Sequence, residues 1–166
     1  MFTIVSSKNT YHARTVLLAI GRRGSPRKLE VPGESLSKVT YRLIDPEQYR
    51  DQHVLVVGGG DSTLEAACSI AELPGSVVTL SYRSASFSRA KSKNRDRVQA
   101  AMADGNLNVL LNSTVETIDG QHVCLVQNER PIKIANDTVI INAGGILPPA
   151  FLRSLGISVD TKFGTT

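Results

Sequence analysis

Three consecutive glycines, Gly58-Gly59-Gly60, followed by Asp61-Ser62-Thr63-Leu64-Glu65, are the residues of this chain best suited to hold a ligand. Backbone without side chains lets N–H groups close on an anion, and a helix that starts directly afterwards adds the positive end of its dipole. The chemistry served is pyrophosphate binding, the grip a strand–turn–helix unit takes on a dinucleotide. In that geometry Gly58 makes the turn, Gly59 continues it, and Gly60 leaves room for phosphate. The Ser62 and Thr63 amides then point at the anion. Thr63 stands where the GxGxxG pattern has its third glycine, so the pattern alone also fits a purely structural turn. The context favours a binding turn: a buried strand precedes it, a helix follows, and the next strand starts about 20 residues on.

Asp61 and Glu65 are awkward neighbours for an anion. Ser62-Thr63-Leu64-Glu65 matches a capping box, which would give Glu65 the helix start and make Asp61 a helix-entry residue. The other role open to Glu65 is a hydrogen bond to a neutral nicotinamide or its ribose. The strand that follows sets which dinucleotide fits. A site for NAD ends this strand with an acid on the ribose 2′-hydroxyl. Here the strand runs Val77-Val-Thr-Leu-Ser-Tyr82-Arg83, with no acid. Between Arg83 and Arg97 lie six cations (Arg83, Arg89, Lys91, Lys93, Arg95, Arg97) and one acid, Asp96. Guanidinium groups bind a 2′-phosphate through paired, charge-assisted hydrogen bonds. Arg83 and Arg89 are the candidates, with Tyr82 beside the adenine, and the expected cofactor is NADP, as NADPH.

A charge run can also be a solvated face or a nucleic-acid patch. Nucleic acid is not expected, because the chain has no tryptophan and no aromatic platform accompanies these cations. No residue presents itself as a lone acid, base or nucleophile. His12, His53 and His122 are scattered without metal-ligand spacing, so no metal site is expected. Cys68 and Cys124 form no CxxC pair and fit buried thiols in a reducing cytoplasm.

The elements that must position these residues can be read from hydrophobic period. Val54–Val57 is a continuous apolar run, the mark of a strand covered on both faces. Leu64, Ala67, Cys68 and Ala71 fall on one helix face, and Pro74-Gly75 ends it. Val77–Tyr82 is a strand; Val98, Ala101 and Met102 share a face of a second helix ended by Gly105; Leu107–Leu111 is a third strand. This alternation calls for a parallel sheet with right-handed crossovers. Thr114–Ile118 and His122–Gln127 then flank the hairpin signal Asp119-Gly120, and a short strand near Ile132–Ile134 completes a meander. Thr138–Asn142 returns as a buried strand ending at Ala143-Gly144-Gly145. Earlier in the chain, Phe2–Val5 and Tyr11–Ile20 read as strands joined by a polar turn. Another strand lies near Val39–Leu43, and the Gly21–Gly33 stretch has the glycine, proline and arginine content of a linker. The expected fold is α/β: a Rossmann-like parallel sheet with helices on both faces and a three-stranded meander in place of one crossover helix.

Composition agrees with a globular chain. At 166 residues, 41% of them apolar and with a net charge of +4, it can bury its own core. The longest apolar runs, Thr15–Ile20 and Thr138–Asn142, fall far short of the ~20 residues that span a bilayer, so no membrane partner is expected. The N-terminus shows no basic leader or apolar signal core, which makes the cytoplasm the expected location.

Taken together, Val-Val-Gly-Gly-Gly-Asp-Ser-x-Leu-Glu, then Leu-Ser-Tyr-Arg and a basic stretch, resembles the two-dinucleotide flavoprotein reductases. More narrowly, it is similar to the thioredoxin-reductase-like branch of the pyridine nucleotide–disulfide oxidoreductases. Tyr11–Gly21 through Val31-Pro-Gly-Glu34 resembles the family's segment leading out of its flavin domain, and Thr138–Gly145 the segment leading back. The resemblance implies a flavin-domain remnant and linker at 1–36, an NAD(P)-binding domain at 37–145 and a return segment at 146–166. It implies NADPH positioned for hydride transfer to FAD, with Gly144 and Gly145 letting the nicotinamide approach the flavin. The electron acceptor is unidentified, and a homodimer is allowed. Two departures matter. The family's redox-active CxxC is replaced by Ser37–Tyr49, which holds no cysteine, and the family's first glycine motif for FAD would lie upstream of this chain. The expectation is a fragment that binds nucleotide but turns nothing over. The alternative reading is a non-catalytic nucleotide-binding or assembly module.

Overall fold

The computed structural model describes residues 1–19, 26–146 and 149–160. Ile20, the start of the linker at 21–25, residues 147–148 and the tail at 161–166 lie outside the described residues. The chain divides into two compact units, Met1–Gly24 with Leu147–Thr166, and Ser25–Ile146.

The smaller unit holds a hairpin of β1 (Phe2–Val5) and β2 (Thr10–Ala13), antiparallel with Phe2 opposite Ala13. The Ser6 amide donates to the Asn9 carbonyl at 2.8 Å, and the Ser6 hydroxyl accepts from the Asn9 amide at 2.9 Å. Of the strand expected over Tyr11–Ile20, only the part up to Ala13 is strand, where it pairs with β1.

The larger unit runs β3 (Val39–Thr40), a 3-10 turn (Pro46–Tyr49), β4 (His53–Val57), α1 (Asp61–Ala71), β5 (Val77–Tyr82) and α2 (Ser92–Ala103). It continues with β6 (Leu107–Leu111), β7 (Ser113–Ile118), β8 (His122–Gln127), β9 (Arg130–Ala135) and β10 (Thr138–Ile141). A short α3 (Pro149–Ser154) follows in the smaller unit. β3, β10, β4, β5 and β6 form one five-stranded sheet in that order, every pair parallel. β7, β8 and β9 form a separate antiparallel meander.

Two apolar layers hold the sheet. On one face Val54, Val56, Val78, Leu80 and Ile140 pack against the predicted stripe of α1, Leu64, Ala67, Cys68 and Ala71, together with Val98 of α2. On the other, Leu55, Leu110, Val139 and Ile141 meet Val115, Ile118, Val123 and Leu125 of the meander. α1 and α2 thus share one face. The sequence reading has helices on both faces, whereas among the described residues the second face is covered by the meander sheet. The alternation of β7 and β8 supplies the apolar side that a helix would otherwise present. A polar link joins the layers: Ser113 Oγ donates to the Leu110 carbonyl at 2.6 Å, leaving Ser81 Oγ, 2.7 Å away, to donate to Ser113. Val98 of α2 is buried and Ala101 half-buried as their spacing predicts, but Met102 is exposed, since this polar helix leans on its neighbours along a narrow strip.

Both meander turns have local causes. Asp119 Oδ1 accepts from the Gln121 and His122 amides at 2.8 and 2.7 Å. Asn128 and Glu129 both take positive φ, 47° and 66°, the two-residue turn whose twist matches the flanking strands. β9 is accordingly longer than the Ile132–Ile134 strand read from the sequence.

The larger unit also reaches further towards the N-terminus than residue 37. The Ile118 amide donates to the Pro32 carbonyl at 2.9 Å, adding the Val31–Glu34 stretch to the end of β7. Glu34 accepts from the Leu29 and Glu30 amides, both at 2.7 Å, and from the Tyr41 hydroxyl at 2.9 Å. Burial alone would raise the Glu34 carboxyl, but these donors outweigh it and hold it below the usual carboxylate range. A depressed folded value stabilises fully above the unfolded pKa of about 4.3, and that stabilisation is lost as pH falls through the folded value. Measured against its intrinsic rate, which itself falls with pH in this range, amide exchange at Leu29 and Glu30 should therefore become less protected below about pH 4. In Glu34→Ala it should be fast at neutral pH as well, with a stability loss of about 1–3 kcal/mol. Slow exchange in that variant would show that the carboxylate does not hold these amides.

Candidate functional site

β10, β4 and β5 are parallel neighbours with Ile141 opposite Val57 and Val57 opposite Ser81. Asn142, Gly58 and Tyr82 therefore emerge side by side at one edge of the sheet. From β4 the chain proceeds outward through β5 and β6, then returns through the meander to β10 on the far side of β4. Where strand order reverses in this way, the connections leave a crevice at the carboxyl ends of the strands. The glycine turn sits at that switch.

The turn is tightly built. The Gly58 amide donates to the Ser81 carbonyl at 3.0 Å, and the Asn142 amide to the Val57 carbonyl at 2.8 Å. Gly58 has φ +142°, and a Cβ there would lie 2.6 Å from both the Asn142 carbonyl oxygen and Thr63 Oγ1. Thr63 is 1% exposed, and its hydroxyl is aimed at the Asn142 carbonyl at 3.4 Å. It thus occupies the place of close helix–strand packing that a third glycine usually fills. At Gly59 a Cβ would lie 2.3 Å from the Tyr82 ring, so this glycine makes room for the protein's own tyrosine. Tyr82 in turn stacks on Phe87, centroids 5.4 Å apart and planes inclined by 15°. Gly60 is exposed, with nothing within 4 Å of where its Cβ would be. Of the three glycines, it alone faces open space.

Two sequence expectations for the helix start are corrected. The capping box does not form: Gly60 is the N-cap, with φ −95° and ψ 171°, and no side chain caps the helix. Ser62 already lies inside the first turn, so Glu65 cannot reach back to it as a box requires. Nor does the Thr63 amide point outward, since it donates to the Gly60 carbonyl at 2.9 Å, beside Leu64 at 3.1 Å. The amides of Gly59, Gly60, Asp61 and Ser62 have no acceptor among the described residues. Four orphan donors at a positive helix end are what an anion satisfies.

Asp61 and Glu65 turn to α2 instead. Asp61 Oδ1 accepts from the Lys91 amide at 2.9 Å and from Asn94 Nδ2 at 2.7 Å. Glu65 Oε1 accepts from the same Asn94 Nδ2 at 3.0 Å. The Lys91 amide first, and then Asn94, hold the Asp61 carboxyl below the usual carboxylate range. Its charge thereby lies against the positive end of α2. Asn94, 8% exposed, is a site residue that sequence reading missed. Within a run of charged residues, nothing in the pattern marks one buried amide.

The six cations divide. Arg97 is bound to Glu72 at 2.6 Å, and Arg95 donates to the Ala90 carbonyl. Arg83, Arg89, Lys91 and Lys93 are exposed, and among the described residues their side chains have no hydrogen-bonding or ionic partner. Arg83 follows β5 directly, one position from the Tyr82 that covers Gly59. Gly144, with φ +88°, and Gly145 are exposed at the end of β10. They lie against the incoming linker: the Arg27 amide donates to the Gly144 carbonyl at 3.0 Å, and Pro26 bridges Gly145. Cys68 is buried in α1, which pushes its thiol up, and Cys124 is half-buried in β8.

A family model described as pyridine nucleotide-disulphide oxidoreductase matches residues 1–163. The bacilliredoxin reductase Bdr of Bacillus subtilis is 30% identical over 165 residues, 98% of this chain and 51% of that protein. A ferredoxin–NADP reductase of Ignicoccus hospitalis is 32% identical over 164 residues, 94% of this chain and 52% of that protein. Among solved structures, bacillithiol disulfide reductase Bdr from Staphylococcus aureus matches with a TM-score of 0.88 and 29% identity, covering 96% of this chain and 50% of that one. The chain spans about half the length of the curated relatives it matches. Among the described residues, no helix is long and apolar enough to cross a membrane.

The crowding at Gly58 and the space at Gly60 make opposite demands. Gly58→Ala should lower unfolding stability by about 2–4 kcal/mol, through the backbone clash and the strained φ together. Gly60→Ala should cost no more than about 1 kcal/mol, since alanine is only a poorer cap there. Thermal unfolding of the two variants checks this, and equal losses would mean that the turn is not held against Asn142.

Proposed function

Because the chain belongs to the pyridine nucleotide-disulphide oxidoreductase family, we propose that residues 37–145 hold NADPH for an FAD-dependent oxidoreductase. The observation that carries this reading is the pairing of two features at one sheet edge. Among the described residues, four unpartnered amides stand at the Gly58–Ser62 turn, and guanidiniums without partners stand at the end of β5. The first suits a pyrophosphate, which needs donors more than cations. The second suits a 2′-phosphate, which NADH lacks.

In this reading the Gly59–Ser62 amides orient the pyrophosphate, and Arg83 and Arg89 bind the 2′-phosphate. Tyr82 borders the adenine. Glu65 is within the first turns of α1 and takes the nicotinamide ribose. The exposed Gly144-Gly145 pair leaves the nicotinamide face clear. FAD in the whole protein supplies the hydride acceptor; this chain's residues bind and orient the donor. The two relatives have different acceptors in their names, bacilliredoxin and ferredoxin, yet both align along nearly all of this chain. A redox protein is accordingly the class of acceptor, and its choice lies outside the shared residues. Two free cysteines, one of them buried, fit a reducing cytoplasm.

Titrating the 166-residue chain with NADPH and NADH side by side tests the reading. NADPH should bind at least about tenfold more tightly, and Arg83→Ala or Arg89→Ala should each remove most of that preference. Gly60→Ala should weaken both coenzymes while the fold survives. FAD should not bind tightly, and the chain alone should show no turnover. Equal affinity for the two coenzymes in the unaltered chain would refute the NADPH assignment.

A further inference from the structure

We infer that Asn94 sets the position of the arginine-bearing loop relative to the glycine turn, and so fixes the preference for NADPH by acting through Arg89. The inference rests on the NADPH reading above and names a residue that reading does not use.

The loop from Arg83 to Lys91 connects β5 to α2. Its entry is secured by the sheet, where Tyr82 pairs with Leu111 and the Asn112 amide donates to the Ser84 carbonyl at 3.2 Å. Its middle is secured by Phe87, buried and stacked on Tyr82. Its exit carries the buried Ala90, whose amide donates to the Phe87 carbonyl at 3.0 Å and whose carbonyl accepts from Arg95. α2 begins with Lys91 as N-cap and lacks a side-chain cap of its own. What ties the exit to the glycine turn is α1: the Lys91 amide and Asn94 Nδ2 both donate to Asp61 Oδ1, at 2.9 and 2.7 Å. Asn94 Nδ2 also reaches Glu65 Oε1 at 3.0 Å. One buried NH2 group thus spends its two hydrogens on two carboxylates that lie one turn apart on α1.

A neutral amide suits this place. The two carboxylates would repel each other at i,i+4 if nothing lay between them. An acid in place of Asn94 would add a third charge, and an apolar residue would leave the pair without its donor. Through this tie the first turn of α1, with the orphan amides of Asp61 and Ser62, is fixed to the first turn of α2. Arg89 stands two residues before Lys91. In NADPH the pyrophosphate and the 2′-phosphate are separated by a covalently fixed span, so the two anion sites must keep a matching separation. Asn94 sets that separation without touching either phosphate. It is a positioning residue.

The test is a double-mutant cycle on the full chain, with NADPH and NADH dissociation constants as readout. Asn94→Ala should reduce the NADPH-over-NADH preference, read as the ratio of the two dissociation constants, about tenfold, beyond any loss through Glu65 that both coenzymes share. In an Arg89→Ala background the same substitution should cost nothing further, because the group it acts through is gone. Equal weakening of both coenzymes, or strict additivity with Arg89→Ala, would overturn the inference while leaving the NADPH reading intact. If Arg89→Ala itself leaves the preference unchanged, the assignment of the 2′-phosphate to Arg89 falls and this inference with it. Should Asn94→Ala not fold, Lys91→Pro against Lys91→Ala replaces it. Lys91 has φ −62°, which a proline ring accepts, so the pair differs chiefly in the amide that donates to Asp61. Lys91→Pro should lose the preference and Lys91→Ala retain most of it; indistinguishable values would sink the latch.

Discussion

At Gly58 the backbone of the β4–α1 turn passes so close to β10 that a single added carbon would sit 2.6 Å from the Asn142 carbonyl oxygen. That approach sets where α1 begins. It directs the first amides of the helix to the carboxyl edge of the sheet, and it presses Thr63 against the same carbonyl. A shift of α1 by the width of a methyl group would lift Leu64, Ala67 and Ile70, all fully buried, from Val54 and Val56 beneath them. Leu64 and Ile70 each contribute about 1.5–3 kcal/mol by burial, so the core opposes any relaxation that would ease the turn. The geometry of the turn is in this sense a by-product of packing. The helix cannot leave the sheet, and its unpaired donors are therefore presented in one direction.

The second face makes the same demand by a different route. β4 is covered on both sides, with Leu55 turned towards Val115, Val123 and Leu125 of the meander. β10 reaches its place beside β4 only because the chain returns through that meander. The crevice at the strand ends and the layer that closes the opposite face are therefore consequences of one connection. A crossover helix would have met the parallel-sheet rule equally well. The meander meets it with alternating residues and two short turns, one closed by the Asp119 carboxylate and the other by Asn128 and Glu129 at positive φ.

Much of this was readable from residues alone, because the signals were local. Val54–Val57, Val77–Tyr82 and Leu107–Leu111 are apolar runs bounded by glycine, proline or charge. The α1 stripe has unbroken helical period, and Asp119-Gly120 names its own turn. What could not be read depends on partners distant in sequence. The Ser62–Glu65 capping box is a valid local pattern that lost to Asn94, about thirty positions on, which offered Glu65 a donor already fixed in place. Met102 has the spacing of a core residue on a helix whose neighbours cover only Asn94 and Val98 fully. In the sequence Gly59 only continues the turn, and the position of Tyr82 shows which group uses the space it leaves.

The placement of Asp61 and Glu65 resolves an electrostatic difficulty that the bare sequence poses. Carboxylates near the start of a helix, Asp61 in its first turn and Glu65 one turn on, stabilise that helix, but they also compete with any anion drawn to the same end. Here the competition is removed by giving the carboxylates another positive end to face, that of α2, along with the Asn94 amide. The orphan donors of α1 remain free to act on their own. The basic run is divided on the same principle. Arg95 and Arg97 are used within the fold, the first on the Ala90 carbonyl and the second on Glu72, while Arg83, Arg89, Lys91 and Lys93 stay exposed. Exposed cations act over about one Debye length, roughly 8–10 Å in physiological salt. Their field is therefore felt at the end of β5 and fades across the rest of the sheet edge. On the NADPH reading, recognition of the extra phosphate can then be tuned in the loop after β5 without disturbing the turn after β4, provided the two first helical turns stay joined.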